Sequence, residues 1–222
     1  MYRYDIINAL IDKFNLQSYL EIGLDMCQTF LKVNCKYKEC VDPYEDQDSE
    51  FIDAHSMEYN RTVKDFIREN ILTYKMTSDE FFATIPSDKK YDIIFIDGLH
   101  EEGQVGRDIV NSLKHLNEGG YVVVHDCIPE NYEAQTEVRA TQAWNGTTWR
   151  AIPMLKFLGI DFRTVETDDG CCVIQYCKHY DKLEYPQPSD YTYYAVFQNK
   201  TIRNLCLNVI SIDEFVRLLE TD

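Results

Sequence analysis

Residues Tyr91 to Asp126 read YDIIFIDGLHEEGQVGRDIVNSLKHLNEGGYVVVHD. YDIIFID is a nearly continuous β-branched and aromatic run, as expected for a strand buried on both faces. EEGQVGRDIVNSLKHL then sets Val105, Ile109, Leu113 and Leu116 on one helical face. Glu118-Gly119-Gly120 closes that helix and YVVVHD is a second strand. Strand, helix and strand within about 35 residues make a βαβ unit with parallel pairing.

The same alternation extends outward. Upstream, Tyr4 to Phe14 has apolar residues at spacings of three and four, which predicts an amphipathic helix. Ser18 to Gly23 (SYLEIG) reads as a buried strand, Gln28 to Val33 as a helix and Tyr37 to Val41 as a second strand. Asn60 to Asn70 has helical spacing, Ile71 to Lys75 reads as a third strand, and Ser78 is placed as the N-cap of another helix. Downstream, Trp149 to Leu158 reads as helical, Phe162 to Glu166 and Cys171 to Cys177 as strands. The tight Asp168-Asp169-Gly170 turn makes those two antiparallel, because so short a link cannot make a parallel crossover. Strands alternating with helices predict a doubly wound, mostly parallel α/β sheet with a final antiparallel strand. Residues 1–178 read as one domain. Residues 179–222, aromatic and polar with a helix at Ser211 to Leu219, read as an extension packed on it.

The composition sets limits on function. With 45% hydrophobic residues in 222, the chain has enough apolar surface for a full core. A formal charge of −16 makes nucleic acid a poor partner. No apolar run approaches the ~18–20 residues of a membrane span, and the opening segment is unlike a signal peptide, so a cytoplasmic protein without a membrane partner is expected. The eight cysteines form no CxxC pair and read as small buried hydrophobes in a reducing compartment. Tyr191, Tyr193 and Tyr194 read as packing or as an interface, which leaves a homo-oligomer open.

In an open parallel sheet, ligands sit at the carboxyl ends of the strands. Those ends carry Glu21 and Gly23, Asp42, Thr77 and Ser78, Asp97 to His100, and His125 with Asp126. Glu21-x-Gly23 followed by Asp42 fits a nucleoside: glycine admits a close ligand, and the second-strand acid can accept from ribose hydroxyls. Asp97, His100, His125 and Asp126 converge if their two strands are neighbours. Two carboxylates with an imidazole suit Mg²⁺, Ca²⁺ or Mn²⁺ better than Zn²⁺.

YLEIG, VDPY, YDIIFIDGLHEEGQVGRDI and LNEGGYVVVHD together resemble class I S-adenosylmethionine-dependent methyltransferases, in the branch with metal-dependent sugar O-methyltransferases. The resemblance spans roughly residues 18 to 177 and implies a Rossmann-like sheet. It also implies that Glu21 and Gly23 line the methionine and ribose side of S-adenosylmethionine, that Asp42 holds the ribose hydroxyls, and that Thr77 and Ser78 lie near the adenine. Asp97 and Asp126 would be cation ligands with His125 as a further one, Asp97 would also border the cofactor and share in catalysis, and His100 would be the general base. Trp144-Asn145-Gly146 and Trp149-Arg150 fall where such enzymes build the pocket for a saccharide or small-molecule acceptor. One departure is Cys27, where the family prefers glycine. A nicotinamide oxidoreductase would want a glycine fingerprint that LEIGLDMCQT lacks, and a metal-dependent hydrolase leaves Glu21, Gly23 and Asp42 unexplained. A non-catalytic nucleoside-binding or assembly protein is the alternative, which would not need Asp97, His100 and Asp126 together.

Overall fold

In chain order the elements are α1 (Arg3–Phe14), β1 (Ser18–Ile22), α2 (Gln28–Lys32), β2 (Tyr37–Val41), α3 (Ser78–Thr84), β3 (Tyr91–Ile96), α4 (Glu102–Lys114) and β4 (Leu116–Val124). Short 3₁₀ turns at Glu133–Gln135 and Thr148–Ala151 follow, then α5 (Met154–Phe157), β5 (Phe162–Val165), β6 (Cys171–Gln175), α6 (Tyr193–Phe197), α7 (Lys200–Leu207), β7 (Val209–Ile210) and α8 (Ile212–Thr221). The computed structural model describes residues 1–24, 27–43, 73–176, 183–184 and 192–221. The helix expected over Asn60 to Asn70, the first two residues of the third strand, Cys177 and Tyr191 lie outside the described residues.

Among the described residues, seven strands form one sheet in the order β2-β1-β3-β4-β6-β5-β7. β2, β1, β3 and β4 pair in parallel. β6 runs antiparallel to both β4 and β5, as the tight 168–170 turn requires. The sheet is therefore the mostly parallel, doubly wound one expected, with β6 as its reversed strand.

Alternation along each strand divides the core in two. Leu20, Ile94, Ile96, Val122 and Val124 face α4 through Val105, Ile109 and Leu113. Tyr19, Ile93, Phe95 and Val123 face α1 through Ile6, Ile7 and Leu10. Leu207 of α7 enters the first layer and Phe215 of α8 the second.

Four local expectations change. Among the described residues 73–75 the third strand appears as one parallel bridge, Val41 to Tyr74, in which Tyr74 N donates to the Cys40 carbonyl at 3.0 Å. α3 is capped by Thr77 rather than Ser78: Thr77 Oγ1 accepts from the Glu80 amide, and the Thr77 amide donates to the Glu80 carboxylate at 2.9 Å. The segment 149–158 is two short turns meeting at Pro153, not one helix. α4 ends at Lys114, and Gly119 and Gly120 lie inside β4, where the register with β3 shifts.

Candidate active site

β3 and β4 are neighbours, so their carboxyl ends bring the predicted acids and imidazoles together. Asp97 Oδ1 lies 3.2 Å from His125 Nδ1 and 3.5 Å from His100 Nε2. Asp126 Oδ2 lies 3.2 Å from His100 Nε2 and 3.3 Å from His125 Nδ1. Asp97, His100 and Asp126 each offer one ligand atom, and those atoms all lie within 4.8 Å of one another.

The two histidines differ in what their second nitrogen does. His100 Nδ1 is 3.1 Å from the Trp144 carbonyl, to which only an N–H can bond, so its Nε2 carries the exchangeable position. The Trp144 indole stacks on the His100 ring at 5.3 Å, fixing its plane. His125 Nε2 donates to the Asp168 carbonyl at 2.7 Å while Nδ1 faces both carboxylates. His125, expected as a further cation ligand, meets protein at both nitrogens, and one of its ring nitrogens also groups with Asp168 and Asp169, their ligand atoms within 4.8 Å of one another.

Electrostatics follow from this packing. Burial alone would lower the His125 imidazole, but the charges of Asp126 and Asp97 hold it well above its ordinary range. Burial likewise opposes the protonated form of His100, yet the Asp97 hydrogen bond and the charges of Asp126 and Asp97 raise it. Burial would raise Asp97, and the charge of His125 with hydrogen bonds from both histidines keeps it well below the carboxylate range.

Gly23 sits at φ +86°, and a Cβ there would lie 2.1 Å from the Asp97 carbonyl oxygen. This glycine lets the ends of β1 and β3 meet. Glu21, 2% exposed, accepts from the Tyr19 hydroxyl, and burial, with the charge of Asp97 adding to it, raises its carboxyl to about 8. Asp42 Oδ2 accepts from the Leu24 amide at 2.8 Å and so ties the β1–α2 turn to the end of β2. Thr77 is committed to its own helix, and Ser78 accepts from Gln104 Nε2 at 3.1 Å. Cys27 adopts φ +60° as it caps α2, so the chain keeps a glycine-like path with a side chain on it.

Three participants were not legible beforehand. Arg3, at the start of α1, reaches across the sheet to Asp168 at 3.0 Å and lies 3.8 Å from Asp97. Asp168, read only as a turn residue, anchors both Arg3 and His125. Asn145, read as part of an acceptor pocket, donates from Nδ2 to Asp126 Oδ1 at 2.6 Å. Trp149 is fully buried against Phe197 and belongs to the core. Among the described residues no helix is long and apolar enough to cross a membrane, and none of the seven cysteines forms a disulfide.

A family model for the methyltransferase domain matches residues 24–127. No curated protein matches the chain. A candidate caffeoyl-CoA O-methyltransferase from Staphylococcus aureus superposes with a TM-score of 0.53 at 17% identity, covering 78% of this chain and 82% of its own. The O-methyltransferase of Bacillus cereus, solved in complex with SAH, superposes with a TM-score of 0.53 at 12% identity, covering 79% and 80%. At these identities the likeness shows the fold. With the family match, it bears out the resemblance to class I S-adenosylmethionine-dependent methyltransferases.

Proposed function

We propose that this chain transfers a methyl group from S-adenosylmethionine to a hydroxyl of a saccharide or other small molecule in the cytoplasm, assisted by a divalent cation. The observation that carries the reading is His100, whose Nε2 faces Asp97 and Asp126 while Nδ1 is pinned to a carbonyl. The two carboxylates fit a hard cation, and their oxygens and His100 Nε2 all lie within 4.8 Å of one another, which leaves the imidazole beside such a cation as the base. Asp97 and Asp126 would hold it, and its charge would lower the pKa of an acceptor hydroxyl.

S-adenosylmethionine, when bound, would supply a methyl carbon activated by its sulfonium and leave as the thioether, and His100 Nε2 would take the proton that the acceptor hydroxyl loses as its oxygen bonds to that carbon. The resulting imidazolium is stabilised by the two carboxylates it faces. His125, already a cation between the same carboxylates, keeps them aligned. Asp42, at the end of β2, would accept from ribose hydroxyls while its Oδ2 holds the Leu24 amide.

Because its neighbours raise the His100 pKa, the base form should prevail only above the ordinary imidazole value of about 6.5. The transfer rate is therefore expected to climb with pH to an inflection above that value. A cation on Asp97 and Asp126 should move the inflection down, since it repels the proton. His100→Gln should remove the inflection and slow transfer by ~10²–10⁴-fold. An unchanged profile in that variant would eliminate His100 as base.

Cys27→Gly is expected to tighten S-adenosylmethionine binding in calorimetry, because it removes about 1 kcal/mol or more of left-handed strain from the turn. Weaker binding would mean that the buried thiol holds the turn. The reaction itself is tested with labelled methyl donor and a panel of nucleotide sugars, glycosides and other hydroxyl acceptors. Cofactor binding without turnover on any of them would favour the non-catalytic reading.

A further inference from the structure

The amino ends of β2, β1 and β3 lie side by side, at the edge of the sheet opposite Asp97 and Asp126. A groove of about 550 Å³ opens there across Ser18, Tyr37 and Tyr91, the first residues of the three strands. That is room for a ligand of ordinary small-molecule size. Among the described residues lining it, four are lysines (Lys36, Lys38, Lys89 and Lys90) and one, Glu39, is an acid. In a chain of formal charge −16, the groove gathers the opposite sign at one place.

Most of these lysines are fixed by the fold. Lys38 Nζ donates to the Phe30 and Val33 carbonyls at 2.6 and 3.0 Å, at the end of α2, and Lys90 Nζ donates to the Lys114 carbonyl at the end of α4. A carbonyl does not cancel a full charge, and an ammonium has three N–H groups, so each keeps at least one for a ligand. Lys36 is exposed and lies over the Tyr37 ring, 4.9 Å from its centre. Glu39, by contrast, is spent within the protein. Its carboxylate accepts from Lys89 Nζ at 2.8 Å and from the Tyr91 and Tyr74 hydroxyls at 2.7 and 3.2 Å. Asp92, just beyond the groove, is taken up by the Gln17 and Ser18 amides and by Asn117. Among the described residues, no carboxylate lies within ion-pair reach of Lys36, Lys38 or Lys90, so three positive charges converge on open space.

We propose that this groove binds an anion carrying two or more phosphate groups, held by Lys36, Lys38 and Lys90. Lys36 and Lys38 belong to the start of β2, Lys90 to the start of β3, and β1 runs between them. Strands once removed in a sheet stand about 10 Å apart, wider than one phosphate and within the span of an oligophosphate. Ammonium groups are point charges that suit phosphate oxygens without demanding one orientation. The site is separate from the proposed methyl transfer and stands without it.

The test is calorimetric titration of inorganic tripolyphosphate into the full chain in metal-free buffer, with ATP and an oligoglutamate peptide in parallel. Tripolyphosphate has no nucleoside, so it reports on the groove and not on the candidate cofactor site. Lys36→Glu is expected to weaken its binding about tenfold or more. Lys200→Glu, the same charge reversal on α7 at the far side of the sheet, should change it by less than about twofold. Glu39→Gln removes the acid from the lining and should tighten it. ATP binding that falls with Lys36→Glu in the same proportion would mark the phosphates as the part recognised. Absence of tripolyphosphate binding to the native chain would overturn the proposal, as would equal losses in Lys36→Glu and Lys200→Glu, which report only overall charge. Tighter binding of oligoglutamate than of tripolyphosphate, lost in Lys36→Glu, would overturn the phosphate ligand in favour of an acidic peptide. Should Glu39→Gln fail to fold for want of its three bonds, Lys36→Glu, at an exposed side chain, decides alone.

Discussion

Asp97→Ala should cost at least as much methyl transfer as loss of the base, ~10²–10⁴-fold, with cofactor still bound. This carboxylate meets His100 at 3.5 Å, His125 at 3.2 Å and Arg3 at 3.8 Å, so removing it acts on three partners at once. The cation loses a ligand, His100 loses one of the two carboxylates that stabilise its protonated form, and His125 is left with Asp126 as its only facing carboxylate at Nδ1. Asp97→Ala and His100→Ala should therefore be far from additive, because both act through one cluster. Single-turnover rates in the two variants and their double mutant check this. A loss under tenfold in Asp97→Ala would refute the assignment.

Gly23→Ala should destabilise the fold by about 3 kcal/mol or more, combining left-handed strain with a steric clash. The added Cβ would lie 2.1 Å from the Asp97 carbonyl oxygen and 2.5 Å from Gly98 Cα, all backbone atoms that no rotamer change can move aside. Relief would require β1 and β3 to part at their carboxyl ends, which would also displace Asp97. The urea midpoint should fall with an unchanged slope. An unfolding free energy within about 0.5 kcal/mol of the native chain would show that the strand ends yield more easily than their packing indicates.

How much of this was readable follows from the range of each interaction. The Tyr91–Asp126 unit was legible because a strand buried on both faces has an unbroken apolar run and its helix repeats every three to four residues. The antiparallel β5–β6 hairpin followed from a turn too short for any other path. Thr77 as cap is written in Thr-x-x-Glu, whereas Ser78, one residue on, has Phe81 three residues later and no acid to complete the box. Pro153 was the signal that segment 149–158 is not one helix. Arg3, Asp168 and Asn145 carry no local signal at all. Arg3 lies 165 residues from Asp168, and only the closure of the sheet brings them together. Which nitrogen of His100 finds the Trp144 carbonyl and which of His125 finds the Asp168 carbonyl was equally hidden, since both partners come from distant loops.

β7, only Val209 and Ile210, has a consequence for how the protein survives in a crowded solution. The amides of Thr164 and Glu166, along the outer side of β5, donate to Asn208 and Ile210 at 3.0 and 2.9 Å. A sheet that finishes on two residues presents almost no row of donors for a foreign strand to zip onto. A chain shortened at residue 199 would bare that rim and empty the seats of Leu207 and Phe215. Such a fragment should precipitate or grow thioflavin-positive fibres on warming while the native chain stays clear, which makes the tail a guard against aggregation.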